Sequence, residues 1–192
     1  MSIKKSTLAL CAAAGAAVFA GTAQADELIV IDLTVANQIT ITATGGLSAV
    51  DASGSDTTGF YFANFYNSGS GLSATLVSGD LTSANNLSDN SPALFRSGTS
   101  AGLNVWSYTN DASSTFTTGS VAFSGSGTWT VSAAFYADML AGNSSGDIFF
   151  PADDDGDITP NTALLGTWRV IPAPSSLALM GLGLVGAARR RR

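Results

Sequence analysis

The amino-acid sequence predicts an all-β domain, an antiparallel β sandwich or jelly roll of about nine strands, between a signal helix and a C-terminal hydrophobic helix. Three observations lead to this prediction. Hydrophobic residues make up 45% of the 192 residues and charged residues only 11%, which is too apolar for a disordered chain. Apolar and polar residues alternate with a period of two in short segments that Gly, Ser, Asn and Asp bound. Helical periodicity is confined to a single turn at 137–141.

The strands are predicted where this alternation is sustained. It is clearest in 128–136, where four apolar side chains share one face, namely Trp129, Val131, Ala133 and Phe135. The polar segment 78–91 is predicted to be a long loop. In chain order the predicted strands are 28–35, 38–44, 59–66, 72–77, 103–109, 119–124, 128–136, 147–150 and 164–170.

Residues 1–25 have the three parts of a secretory signal peptide: a basic start, a 13-residue apolar run and small residues at the end. Ala23 and Ala25 match the positions that signal peptidase reads, so cleavage is expected before Asp26. The apolar run is shorter than the roughly 20 residues of a membrane-spanning helix. Cleavage would remove Cys11, the single cysteine, so the mature domain, 26–170, would have no disulfide.

The last segment, residues 171–192, combines a Pro-rich signature, an apolar stretch and a cluster of arginines. Residues 175–188 predict a hydrophobic helix that the arginines hold on the cytoplasmic side of the inner membrane. Fourteen residues are few for a permanent span, which favours a temporary anchor over an ordinary C-terminal membrane anchor. The residues assigned to the anchor are Leu177, Leu179, Gly181, Gly183, Gly186, Arg189, Arg190, Arg191 and Arg192.

This tail resembles the PEP-CTERM sorting domain of exported bacterial proteins. The Pro-Glu-Pro that is usual in that family is Pro172-Ala173-Pro174 here, and Ser175 and Ser176 follow it. The resemblance implies processing by an exosortase-type transpeptidase after transient anchoring in the inner membrane. It also implies a Gram-negative bacterium with an exopolysaccharide or biofilm matrix, and a final place on the cell surface or outside the cell. It implies nothing about residues 26–170.

The central part of the chain is strongly acidic, since residues 26–170 contain 14 acidic residues and only Arg96 and Arg169 as basic ones. Such a domain repels phosphates, so nucleic acid is excluded as a partner. The chain has no histidine, which excludes a Ser/His/Asp triad and an imidazole zinc site. The aspartates lie mostly in Gly/Ser-rich turns and the only glutamate is Glu27, so the domain is not expected to be an enzyme.

Two candidate binding sites remain. Asp153, Asp155 and Asp157 concentrate the carboxylate oxygens that calcium prefers, although the spacing is not that of an EF-hand, and a solvated acidic turn is the alternative. Trp106 and Tyr108 would lie on one face of a strand about 7 Å apart, where they could stack a sugar ring. Their alternative role is packing against a second sheet.

These patterns together predict an exported cell-surface or extracellular-matrix protein. Its β domain is expected to be structural or adhesive and to be linked to exopolysaccharide or biofilm. A carbohydrate-binding module is the main alternative, and it requires a defined aromatic cleft. A hydrolase is a third and disfavoured interpretation, because it requires two convergent carboxylates with perturbed pKa values.

Overall fold

The structure is a computed structural model that describes residues 25–55, 58–67, 72–84, 92–96, 100–106, 113–171 and 173. The predicted signal segment, 1–25, lies outside the described residues except for Ala25, and the predicted hydrophobic helix at 175–188 lies outside them entirely.

The described residues form thirteen strands, one α-helix and one turn of 3-10 helix. The first strands are β1 (Glu27–Asp32), β2 (Gln38–Ala43), β3 (Ala52–Ser55), β4 (Phe60–Phe62), β5 (Ala74–Gly79), β6 (Thr82–Ser83) and β7 (Ala93–Phe95). They are followed by β8 (Leu103–Trp106), β9 (Ser113–Phe116), β10 (Phe123–Ser124) and β11 (Ser126–Val131). The chain continues with α1 (Ala133–Ala141), β12 (Ser145–Phe150), the 3-10 turn (Asp155–Asp157) and β13 (Ala163–Ile171).

Nine strands form one mixed sheet in the order β5-β11-β2-β1-β13-β12-β4-β8-β7. The Cα atoms of the two outer strands, β5 and β7, approach within 8 Å, so the sheet curves until it is nearly closed. The pairs β6–β10 and β3–β9 form two small separate sheets. The predicted all-β class is therefore confirmed, whereas one curved sheet replaces the two facing sheets of the predicted sandwich or jelly roll.

The predicted purely antiparallel arrangement is wrong for one pair of strands. β1 and β13 run parallel, with Val30 opposite Arg169 and Ile31 opposite Val170. The other pairs in the described sheets are antiparallel. This parallel pair joins the first and last strands of the domain, and local alternation carries no information about the relative direction of strands so distant in sequence.

The hydrophobic core lies on the inner face of the sheet. Ile39 of β2 lies opposite Trp129 of β11, and Ile41 lies opposite Ile31 of β1. The exposed fraction of each of these side chains is 2% or less. The period of two read from β2 and from the start of β11 therefore identifies the buried face correctly.

The predicted strand 128–136 is wrong beyond Val131, where the chain turns into α1. The Ser132 Oγ accepts a hydrogen bond of 3.2 Å from the Phe135 backbone N–H, which caps the first turn. Ala133 and Phe135 thus belong to a nine-residue helix rather than to the predicted strand, and the predicted single turn at 137–141 is the end of that helix. None of the described helices is both long and apolar enough to cross a membrane.

Four strands were missed because their sequences lack the apolar alternation. They are β3, β6, β7 and β9. Other predicted strands are shorter in the structure: 59–66 is reduced to Phe60–Phe62, and 119–124 to Phe123–Ser124. Within the predicted loop 78–91, β5 extends to Gly79 and β6 occupies Thr82–Ser83, while 85–91 lie outside the described residues.

Candidate functional site

An acidic turn, residues 153–157, follows the C-terminal end of β12, an inner strand of the sheet. The Asp154 carboxylate caps the 3-10 turn by accepting a hydrogen bond of 2.6 Å from the Gly156 N–H. The Asp153 N–H donates to the Asp157 carboxylate at 3.0 Å, which closes the turn. One carboxylate oxygen from each of Asp153, Asp154 and Asp157 lies within 4.8 Å of the others. Three such oxygens fit one calcium ion, with the remaining ligands supplied by water or carbonyl groups.

Burial raises the pKa of Asp153 above its ordinary value. The hydrogen bond with the side chain of Asp157, and then the charges of Asp157 and Asp154, raise it further. The three carboxylates therefore repel one another when all are ionised. A bound cation would remove this repulsion, which is the electrostatic condition for a metal site.

The structure places Asp155 differently from the sequence-based expectation. Its carboxylate accepts hydrogen bonds from the Tyr61 hydroxyl at 2.6 Å, the Ala101 N–H at 3.0 Å and the Ser100 hydroxyl at 3.2 Å. Burial opposes ionisation of Asp155, but these hydrogen bonds and the charge of Arg96 outweigh it, so its pKa lies below the ordinary value. Of the predicted ligands, Asp153 and Asp157 come together, and Asp154 takes the third position.

A buried ion pair adjoins this network. The Arg96 Nη1 lies 3.1 Å from the Asp138 Oδ2, and both side chains are almost inaccessible to solvent. The Arg96 Nε donates to the Ser100 carbonyl at 2.6 Å, and its guanidinium lies 4.3 Å from the centroid of the Tyr66 ring. Arg96 thereby connects α1 to residues 100–101, which donate hydrogen bonds to Asp155.

An open depression of about 430 Å³ lies along the β3–β9 pair. Its lining consists of Asp51, Ala52, Ser53, Thr115, Phe116 and Thr117. Phe116 is 2% exposed and packs against Phe60 and Phe150, with ring centroids 5.6 and 5.1 Å away, so an aromatic cluster supports the depression from below.

The rim of this depression carries a carboxylate beside hydroxyl groups. The Asp51 Oδ1 accepts hydrogen bonds from the Thr118 N–H at 2.7 Å and from the Thr118 hydroxyl at 3.0 Å. These two bonds lower the pKa of Asp51, so the group is ionised at neutral pH. The Ser53 and Thr115 hydroxyls lie 3.2 Å apart. This depression was not predictable from the sequence, because a lone aspartate in a Ser/Thr-rich segment is the ordinary composition of a turn.

The predicted sugar platform remains a prediction. Trp106 is the last residue of β8, but its side chain and the whole of Tyr108 lie outside the described part of the chain. The predicted cleavage position also stays untested. Asp26 already belongs to the fold, since its carboxylate accepts the Leu47 N–H at 3.0 Å and its carbonyl accepts the Thr167 N–H at 2.9 Å.

The C-terminal end of the domain continues directly from the centre of the sheet. β13 lies between β1 and β12 and ends at Ile171. A family model described as the PEP-CTERM protein-sorting motif matches residues 170–192. The chain carries a PEP-CTERM sorting motif. The predicted resemblance is thereby confirmed, and the PEP-CTERM match begins inside β13.

The PEP-CTERM motif implies export, membrane-associated sorting and processing by an exosortase-type system. Of the residues assigned to the tripeptide and the anchor, the structure describes Ala173, which is 6% exposed; the others lie outside its description. No curated protein and no solved structure matches the chain significantly. The family match thus concerns the sorting of the protein, and the β domain must be interpreted from its own geometry.

Proposed function

We propose that the protein resides on the surface or in the extracellular matrix of a Gram-negative bacterium, where its β domain has a structural or adhesive role and contacts exopolysaccharide or biofilm. The sorting motif at 170–192 carries this proposal, because it implies that the chain is exported and then sorted at the membrane. The nearly closed sheet and its buried aromatic core agree with a structural role, because they can stabilise the domain without disulfides.

A role without catalysis agrees with how three of the described carboxylates are used. Asp51, Asp154 and Asp155 each accept a hydrogen bond from a backbone N–H group. Such carboxylates stabilise turns and loops. A hydrolase acid would instead require a carboxyl group kept protonated beside an ionised partner in a cleft.

Carbohydrate binding is the second candidate function, and the depression beside Asp51 favours it. An ionised carboxylate can accept hydrogen bonds from the hydroxyl groups of a sugar, and the neighbouring Ser53 and Thr115 hydroxyls can donate to or accept from them. Phe116 forms the floor but is buried, so recognition would depend on hydrogen bonds more than on ring stacking. The acidic domain repels anionic polymers, which favours a neutral polysaccharide.

Calcium binding at Asp153, Asp154 and Asp157 is a further part of the proposal. The proximity of the three oxygens and the raised pKa of Asp153 support it. Calcium should raise the melting temperature of residues 26–173 and chelator should reverse the rise, since an ion that binds only the folded state stabilises it. Asp157→Asn should weaken the effect, whereas Asp147→Asn, an exposed aspartate in β12, should leave it unchanged. An equal calcium response in both variants would contradict this site.

Co-sedimentation of residues 26–173 with a neutral extracellular polysaccharide, in calcium and in chelator, tests the adhesive role. Asp51→Asn keeps the acceptor for Thr118 but removes the charge, and it should weaken binding at least fivefold. Asp80→Asn is the matched control, because the Asp80 carboxylate accepts the Ser126 N–H at 3.0 Å in a similar exposed turn.

The outcomes separate the two candidate functions. Saturable binding that Asp51→Asn weakens and Asp80→Asn does not supports carbohydrate recognition at the depression. Binding unaffected by Asp51→Asn places the adhesive surface elsewhere. Absence of binding to a panel of neutral and anionic polysaccharides contradicts both adhesion and carbohydrate binding, and leaves a structural role.

A further inference from the structure

The PEP-CTERM motif and the folded domain share residues. The motif match begins at Val170, whereas β13 continues to Ile171. Ala173, the middle residue of Pro172-Ala173-Pro174, is only 6% exposed. The first part of the sorting signal is therefore also the end of a strand.

This strand end is paired on both sides. Toward β1, Val170 lies opposite Ile31 and Ile171 lies opposite Asp32. The Leu33 N–H donates to the Ile171 carbonyl at 3.1 Å, and the Val170 N–H donates to the Ser144 carbonyl at 2.7 Å. A segment held by neighbours on both sides cannot enter the extended-substrate cleft of a processing enzyme without breaking these bonds.

The chain length between the domain and the apolar segment is small. Three residues, 172–174, separate Ile171 from Ser175, and the four Cα–Cα steps between them span at most about 14 Å when fully extended. A domain of this size has a radius of gyration of about 15 Å. When residues 175–188 enter the membrane, the folded domain is therefore held at the membrane surface, beside any enzyme that reads the tripeptide.

We propose that the folded β domain restricts access to its own sorting motif, and that exosortase-type processing requires release of Val170, Ile171 and Ala173 from the domain. Folding and sorting are then coupled: a well-packed domain is processed slowly, and loosening of the end of β13 speeds processing. This inference depends on the motif match and the strand pairing, and it is independent of what the β domain binds.

The test is the processing rate of the full chain in its producing cells, followed by pulse-chase labelling and mass analysis. Insertion of Gly-Ser-Gly-Ser-Gly-Ser between Arg169 and Val170 moves Val170, Ile171 and the tripeptide away from the strand and leaves the matched residues 170–192 contiguous. We expect processing at least about fivefold faster, which is the effect on an equilibrium of one hydrogen bond of ordinary net strength. The same insertion between Ser70 and Gly71, within the Gly/Ser run of the sequence, is the matched control and should leave the rate unchanged.

An unchanged or slower rate with the first insertion overturns the proposal, as does an equal acceleration with the control insertion. Hydrogen exchange in the full chain before processing supplies an independent measurement. The Val170 amide should be protected, because it donates to Ser144. Exchange of this amide at the rate of an unstructured peptide would also overturn the proposal.

Discussion

Replacement of Asp138 by asparagine should destabilise the β domain more than any exposed charge substitution. The Arg96 and Asp138 side chains are 1% and 5% exposed, and their charged atoms lie 3.1 Å apart. Asp138→Asn removes the carboxylate charge that lies 3.1 Å from the buried guanidinium. Removal of one partner of a buried ion pair costs about 3–5 kcal/mol. Because 1 kcal/mol changes the melting temperature of a domain of this size by about 2–4 °C, the melting temperature should fall by roughly 10 °C.

The chain provides a matched exposed ion pair as the control. The Arg169 Nε lies 2.7 Å from the Glu27 Oε2, but these side chains are 47% and 38% exposed. Glu27→Gln should therefore cost at most about 1 kcal/mol. The double replacement Arg96→Met with Asp138→Leu removes both buried charges and should be less damaging than Asp138→Asn alone.

The free energy of unfolding of all three variants is measured by urea titration of residues 26–173 at pH 7, with tryptophan fluorescence and far-UV circular dichroism as the two probes. The free energy of unfolding should be highest for Glu27→Gln, lower for the double variant and lowest for Asp138→Asn. If Asp138→Asn costs no more than Glu27→Gln, the reasoning from burial is refuted.

Three further predictions concern single positions. The pKa of Asp155 is below its ordinary value, so its stabilising contribution is complete at neutral pH and is lost as the pH falls below about 4. Asp155→Asn should reduce this loss of stability in acid, measured by urea titrations at several pH values. The same dependence of the free energy of unfolding on pH in both proteins would contradict the prediction. Gly102→Ala should lower the free energy of unfolding by about 1–3 kcal/mol, because a Cβ there would overlap the buried Tyr61 ring. A melting temperature equal to that of the unmodified domain would be evidence against this close packing of Tyr61 on Gly102. Ser132→Ala should cost about 1 kcal/mol by removing the cap of α1, whereas Ser132→Asp should retain most of the stability, and equal thermal unfolding of the two variants would argue against capping.

Local patterns predicted part of the fold well. The alternation in β2 identified Ile39 and Ile41 as buried, and the structure places both in the core. The same kind of pattern failed after Val131, because Ala133 and Phe135 satisfy a period of two while Ser132 caps a helix at the same place. A short apolar run supports both interpretations, and the capping hydrogen bond decides between them.

Only the acidic composition of the candidate calcium site was predictable from the sequence. The run of aspartates at 153–157 indicated an ion site, but Asp155 accepts hydrogen bonds from Tyr61, Ser100 and Ala101, which are 94, 55 and 54 residues away in sequence. No local spacing could show that Asp155 faces these groups and that Asp154 replaces it among the three converging carboxylates. The depression beside Asp51 depends in the same way on the pairing of β3 with β9.

The sorting motif could be recognised in the linear sequence, because a sorting enzyme recognises a short segment by the order of its residues. The PEP-CTERM match at 170–192 confirms this prediction. The all-β class was also predictable, since a period of two requires only neighbouring residues. The tertiary structure alone decided the parallel pairing of β1 with β13, the grouping of the carboxylates and the burial of Ala173. These features depend on contacts between residues far apart in the chain, whose free energies are set by packing and hydrogen bonding rather than by local sequence.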